Sequence, residues 1–237
     1  MSAVEIIKTQ IRHIFANLGV YSLMGIPIII GNTVYTQSLV IYYYYPENYL
    51  VLSIVGIILL YTLYYNFRYL VNTHRFIILS DKNSFFSPLI KFKETIIYFL
   101  YLVLFFIFLT IFILLIALLE ALLSTGGILW NLVLVLSLIL LAYLYSLYGL
   151  ILPKIALGEK VSLKSTREQS KGYRKVLLYQ FLIIYLPFWF VSRILTVLMP
   201  EYSSVYFSLG FSLFFLIVNT IWVGSLSITY KQIKEAS

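Results

Sequence analysis

Seven of the 17 lysines and arginines fall within Pro153–Lys175 (PKIALGEKVSLKSTREQSKGYRK), between two long uncharged apolar runs. Cations at the edge of hydrocarbon are suited to the phosphates of anionic lipid, and each adds about 1 kcal/mol near such a surface. Ser162 is placed to cap a short helix running to Lys171, with Gly172 just past its end. That helix would hold Lys164, Arg167, Lys171, Arg174 and Lys175 at headgroup level. Lys91 and Lys93 close a second basic connection and are candidates for the same contact. The same residues also serve topogenesis, because positive segments stay cytoplasmic. Both readings stand at this stage.

Other chemistry finds few groups to work with. Intramembrane enzymes need ionisable side chains that face one another. The chain has one aspartate, Asp81, which excludes an aspartyl dyad and a metal site built from several aspartates. His13 and His74 lie at the inner edge with no spacing that suggests a metal pair. Cysteine is absent, which removes thiol nucleophiles and thiolate metal sites, and no Gly-rich phosphate loop is present. The reading is therefore non-enzymatic, with no cofactor and no metal. Glu120 and Arg193 fall near the outer interface, where they could pair between two spans or reach separately to water. In the last apolar run, Ser204, Ser208, Ser212, Thr220 and Gly224 follow a four-residue ladder broken only by Leu216. Small residues at that spacing suit a helix-packing seam, and no base accompanies them to make a serine nucleophilic.

The elements that would position these groups follow from composition. Of the 237 residues 62% are hydrophobic and only 11% charged, with a mean hydropathy of +0.96. Soluble domains are roughly 25% charged, so this inventory cannot build a water-facing surface. The class expected is all-α: a single polytopic bundle over 1–237, with spans near 14–42, 48–70, 95–120, 128–152, 176–198 and 203–230. Pro27 and Pro187 interrupt two of these, Tyr42–Tyr45 suits a headgroup-level belt, and Tyr61, Tyr65 and Tyr69 share one helical face suited to interhelical packing. Met1–His13 reads as an amphipathic lead-in helix. With six spans and both termini cytoplasmic, sixteen of the 17 basic residues fall inside and only Arg193 outside. The formal charge of +8 is spread beside apolar runs, which points to a membrane surface and away from nucleic acid.

Ile77–Phe86 (IILSDKNSFF) aligns without gaps to Ile155–Lys164 (IALGEKVSLK), with Ile77, Leu79, Lys82 and Ser84 matched by Ile155, Leu157, Lys160 and Ser162. Asp81 and Glu159 match in charge. Both stretches follow an inward-going span, so a duplication would be parallel, about an axis along the membrane normal. Leu152–Arg174 (LPKIALGEKVSL…KGYR) together with Gly224–Tyr230 (GSLSITY) resembles a pattern in uncharacterised bacterial six-span inner-membrane proteins. It is also similar to the membrane domain of some glycerophosphodiester phosphodiesterases. The resemblance covers about a third of the chain and implies a bacterial inner-membrane location with no established activity. The soluble phosphodiesterase domain has no counterpart in these residues, so none of its catalytic positions carries over. The function expected is a scaffold or accessory protein contacting anionic lipid or a protein partner through Pro153–Lys175, with a second copy of the chain (a homo-oligomer) as an alternative neighbour of the small-residue seam in the last span. The alternative is a small permease for an uncharged or amphiphilic solute, using Gln37, Asn131, Gln180 and Asn219.

Overall fold

A computed structural model describes residues 1–80, 92–123, 128–198 and 205–236, with the backbone alone along parts of α4, α5 and α8. The described residues are all-helical, with no strand. Three helices are long and apolar enough to cross a membrane: α2 (Leu18–Tyr44), α3 (Tyr49–Leu79) and α9 (Val205–Ala236). Between them lie α4 (Phe92–Leu123), α5 (Ile128–Tyr148), α6 (Ile151–Ala156), α7 (Leu163–Ser170) and α8 (Arg174–Leu198).

The amphipathic lead-in is α1 (Ala3–Ala16), started by a capping box in which Ser2 and Glu5 satisfy each other's backbone N–H. Its apolar face, Ala3, Ile6 and Ile7, is buried against the bundle. Asn17 ends it by donating from both backbone and side chain to the His13 carbonyl. The first apolar run therefore splits here: residues 14–16 belong to α1, and the spanning helix begins at Leu18, not Ile14. From there α2 runs unbroken through Pro27. Asn48 starts α3 by accepting from the N–H groups of Leu50 and Val51 at 3.0 and 3.3 Å.

The run expected to span 128–152 is also divided. Pro153 has no N–H for the Gly149 carbonyl, and its ring would strike that carbonyl in a continuous helix. The helix accordingly stops at Tyr148 and resumes as α6 at Ile151. Gly149 itself is needed, because a Cβ there would stand 2.8 Å from the Tyr145 carbonyl oxygen.

At 31 residues α3 is about 46 Å long, well beyond the roughly 30 Å of a bilayer core. Burial explains the excess. At its start Tyr49 is 85% exposed, whereas Arg68–Ile77 is buried on every side. The same is true of Leu150–Ala156 and of Trp222–Leu226 in α9. A helix buried all round lies in a core. The core thus sits at one end of the bundle, where α1, α6 and the ends of α3 and α9 pack together. Lower down, α9 lies against α2, α3 and α8, and Tyr185 of α8 meets Trp222 with ring centroids 5.3 Å apart.

Among the described residues, positive φ occurs at Ser80 (56°) and Gly158 (74°). These are the aligned positions of the two similar stretches, and each follows the end of a helix.

Candidate functional site

The connection between α6 and α8 is tied into the core from several sides. Gly158 closes α6: its N–H donates to the Ile155 carbonyl at 2.9 Å, and Glu159 N–H donates to that of Lys154 at 3.0 Å. This pairing requires the left-handed backbone that glycine adopts without a Cβ penalty. Arg75 of α3 donates to the Ala156 carbonyl at 3.3 Å. Lys154 is only 4% exposed, and its ammonium donates to the Thr166 hydroxyl of α7 at 3.2 Å. The Ser170 hydroxyl, at the far end of α7, lies 3.0 Å from the Leu147 carbonyl and 2.8 Å from that of Thr166 in its own helix, and its proton serves one of the two. The inner face of α7 is therefore polar but satisfied.

Glu159 links this connection to the end of α9. Its Oε1 accepts from Lys234 Nζ at 2.7 Å and its Oε2 from the Tyr230 hydroxyl. Burial pushes its carboxyl up, but those two bonds and the charges of Lys234 and Lys154 outweigh it, leaving the group below the usual carboxylate value. Burial draws the Lys154 ammonium down, opposed by Glu159.

Of the expected headgroup contacts, Lys93, Lys164, Arg167, Lys171 and Lys175 are exposed. Arg174 is half-buried and donates to the Arg167 carbonyl at 3.5 Å, which makes it part of the connection's own framework. Ser162 caps α7 as expected, accepting from Ser165 N–H at 3.5 Å, although the helix ends at Ser170. Gly172 does not take the left-handed conformation expected of a terminating glycine, because the chain turns directly into α8 at Arg174. Lys91 lies outside the described residues, as do the side chains of Glu120, Arg193 and Asn131. Asp81–Phe86 of the similar stretch also lies outside them.

Comparison with protein-family models, with curated proteins and with solved structures finds no match to this chain. The residues must therefore speak for themselves. Ser208, Ser212, Thr220 and Gly224 are buried along one face of α9, and Ser204 lies outside the described residues. Gln37 of α2 donates to Ser208 at 3.3 Å, Tyr69 of α3 bonds to Thr220, and Gln10 of α1 donates to the Thr220 carbonyl at 3.2 Å. These residues thus meet helices of the same chain. Gln180 donates to Thr229 at 2.8 Å, and Asn219 donates to the Phe215 carbonyl of its own helix at 2.9 Å.

His74 is fully buried between α4 and α9, a placement its position in the sequence did not suggest. Its Nδ1 lies 2.7 Å from the Ser227 hydroxyl and its Nε2 3.1 Å from that of Tyr98. The Ser227 proton is already directed to the Val223 carbonyl at 2.8 Å. With the proton so placed, Nδ1–H donates to Ser227 and Tyr98 donates to Nε2; the other tautomer reverses both roles. In the first tautomer the histidine gives Ser227 a proton instead of accepting one. In either tautomer the two bonds staple α3, α4 and α9 together. Among the described residues, no group of three or more His, Asp or Glu converges as a metal site would require.

Proposed function

We propose that the chain crosses the membrane six times with both termini cytoplasmic, and that it is a non-enzymatic scaffold or accessory protein whose basic end holds anionic lipid. The observation that carries this reading is the outward set of Lys164, Arg167, Lys171 and Lys175 on a connection whose inward residues, Thr166 and Ser170, are engaged with α5 and α6. A rigid mount with its cations facing out favours binding over mere topogenic charge. The permease reading gains less: Gln37 and Gln180 are spent on contacts between helices and Asn219 on its own helix.

Sixteen of 17 basic residues on one side supports the orientation. A single cysteine introduced at Lys160 into this cysteine-free chain should react with a membrane-impermeant maleimide only from the cytoplasmic face; labelling from outside would overturn the topology. The left-handed residues at aligned positions, Ser80 and Gly158, support a parallel duplication.

The lipid reading is tested by native mass spectrometry of the detergent-purified protein titrated with phosphatidylglycerol or phosphatidylcholine. Replacing Lys164, Arg167, Lys171 and Lys175 together by glutamine should weaken phosphatidylglycerol binding at least about tenfold and leave phosphatidylcholine unaffected. Unchanged phosphatidylglycerol binding would remove the reading.

A further inference from the structure

The carboxylate of Glu159 sits among groups that suit a phosphate. One of its oxygens takes an ammonium proton from Lys234 at 2.7 Å, the other takes the hydroxyl proton of Tyr230, and the buried Lys154 ammonium lies within electrostatic reach. Two oxygens of a phosphodiester accept charge-assisted bonds of the same kind and length. The place is reachable, since the Glu159 side chain is 31% exposed and that of Lys234 58%. Exposed Lys160 and Lys231 directly follow Glu159 and Tyr230 in the chain. The backbone of Glu159 is held by the turn at Gly158, while its side chain, held by the bonds to Lys234 and Tyr230, borders water.

We propose that Glu159 is a built-in competitor for a lipid phosphate, occupying Tyr230 and Lys234 until an anionic headgroup replaces it. The inference rests on the lipid reading above and adds its regulation. An ion pair this exposed is weak. Its strength is comparable to what one cation gains at an anionic surface, so the exchange is close to balanced. The carboxylate recovers its hydration as it leaves, and the incoming phosphate takes both donors. Lipid binding at the basic end would then release the end of α9 from the α6–α7 connection.

Glu159→Gln keeps the size of the side chain and removes the competing charge. In the native mass spectrometry titration of the full chain, it should tighten phosphatidylglycerol binding about fivefold, the gain expected for one freed cation, with phosphatidylcholine unchanged. Adding Lys234→Met should return the affinity to that of the parent. Should Glu159→Gln not fold, Glu159→Asp, which shortens the side chain and loosens both bonds, should give a smaller gain. Unchanged or weaker binding in the folded variant overturns the proposal, as does a gain abolished by millimolar inorganic phosphate, which would assign the exchange to a soluble anion. If the fourfold glutamine variant loses phosphatidylglycerol while Glu159→Gln gains none, this inference alone falls. If the fourfold variant loses nothing, the lipid reading falls and this inference with it.

Discussion

His74→Ala is expected to destabilise the bundle by about 3 kcal/mol or more, lowering its thermal midpoint in detergent by roughly 6–12 °C. Two effects combine. The imidazole is fully buried, so its removal leaves a cavity between α3, α4 and α9. The Tyr98 hydroxyl, also fully buried, loses its partner Nε2. A buried hydroxyl without a partner costs about 1–3 kcal/mol. The two contributions separate in a double-mutant cycle. Tyr98→Phe should cost about 1 kcal/mol in the parent protein and nothing, or less than nothing, once His74 is alanine. Additive losses would show that the histidine and tyrosine are not coupled, and the stapling role would be lost.

Gly224→Leu should be comparably damaging, at about 3–5 kcal/mol. Even a Cβ at this position would overlap the Gln10 carboxamide, the end of a fully buried side chain, and a leucine adds three more carbons. Its bond to the Thr220 carbonyl would break, and α1 would be levered away from α9. Protease accessibility of the first sixteen residues should therefore rise along with the loss of stability. Combining the change with Gln10→Ala should recover part of both, since the shorter side chain leaves space for the leucine. No recovery would mean that α9 meets a different neighbour at Gly224.

The two predictions concern residues of different legibility. Gly224 belongs to a ladder of small residues visible in the chain, because close helix packing without Cβ interference demands a repeating residue type. Its facing partner Gln10 was not visible, since 210 residues separate it from Thr220. His74 gave no signal as a ligand or base, for it is alone within its stretch. One cue was available. From Trp222 to Tyr230, α9 carries small and hydroxyl residues on all its faces, which neither lipid nor water favours and which suits a helix enclosed on every side.

What the amino-acid order determined alone was class and charge: apolar runs too long for a soluble core, cations gathered between them and a cap at Ser162, but not the division of the fourth run at Gly149. The features it did determine are local properties, set by transfer free energies and by backbone hydrogen bonding over a few residues. Tertiary structure alone decided which polar groups turn inward. Lys154 and Lys164 are the same residue type in one basic stretch, yet the first is buried against Thr166 and the second faces out. That difference depends on where α6 and α7 meet, and on the rule that a buried polar group must find its partner wherever the fold brings one.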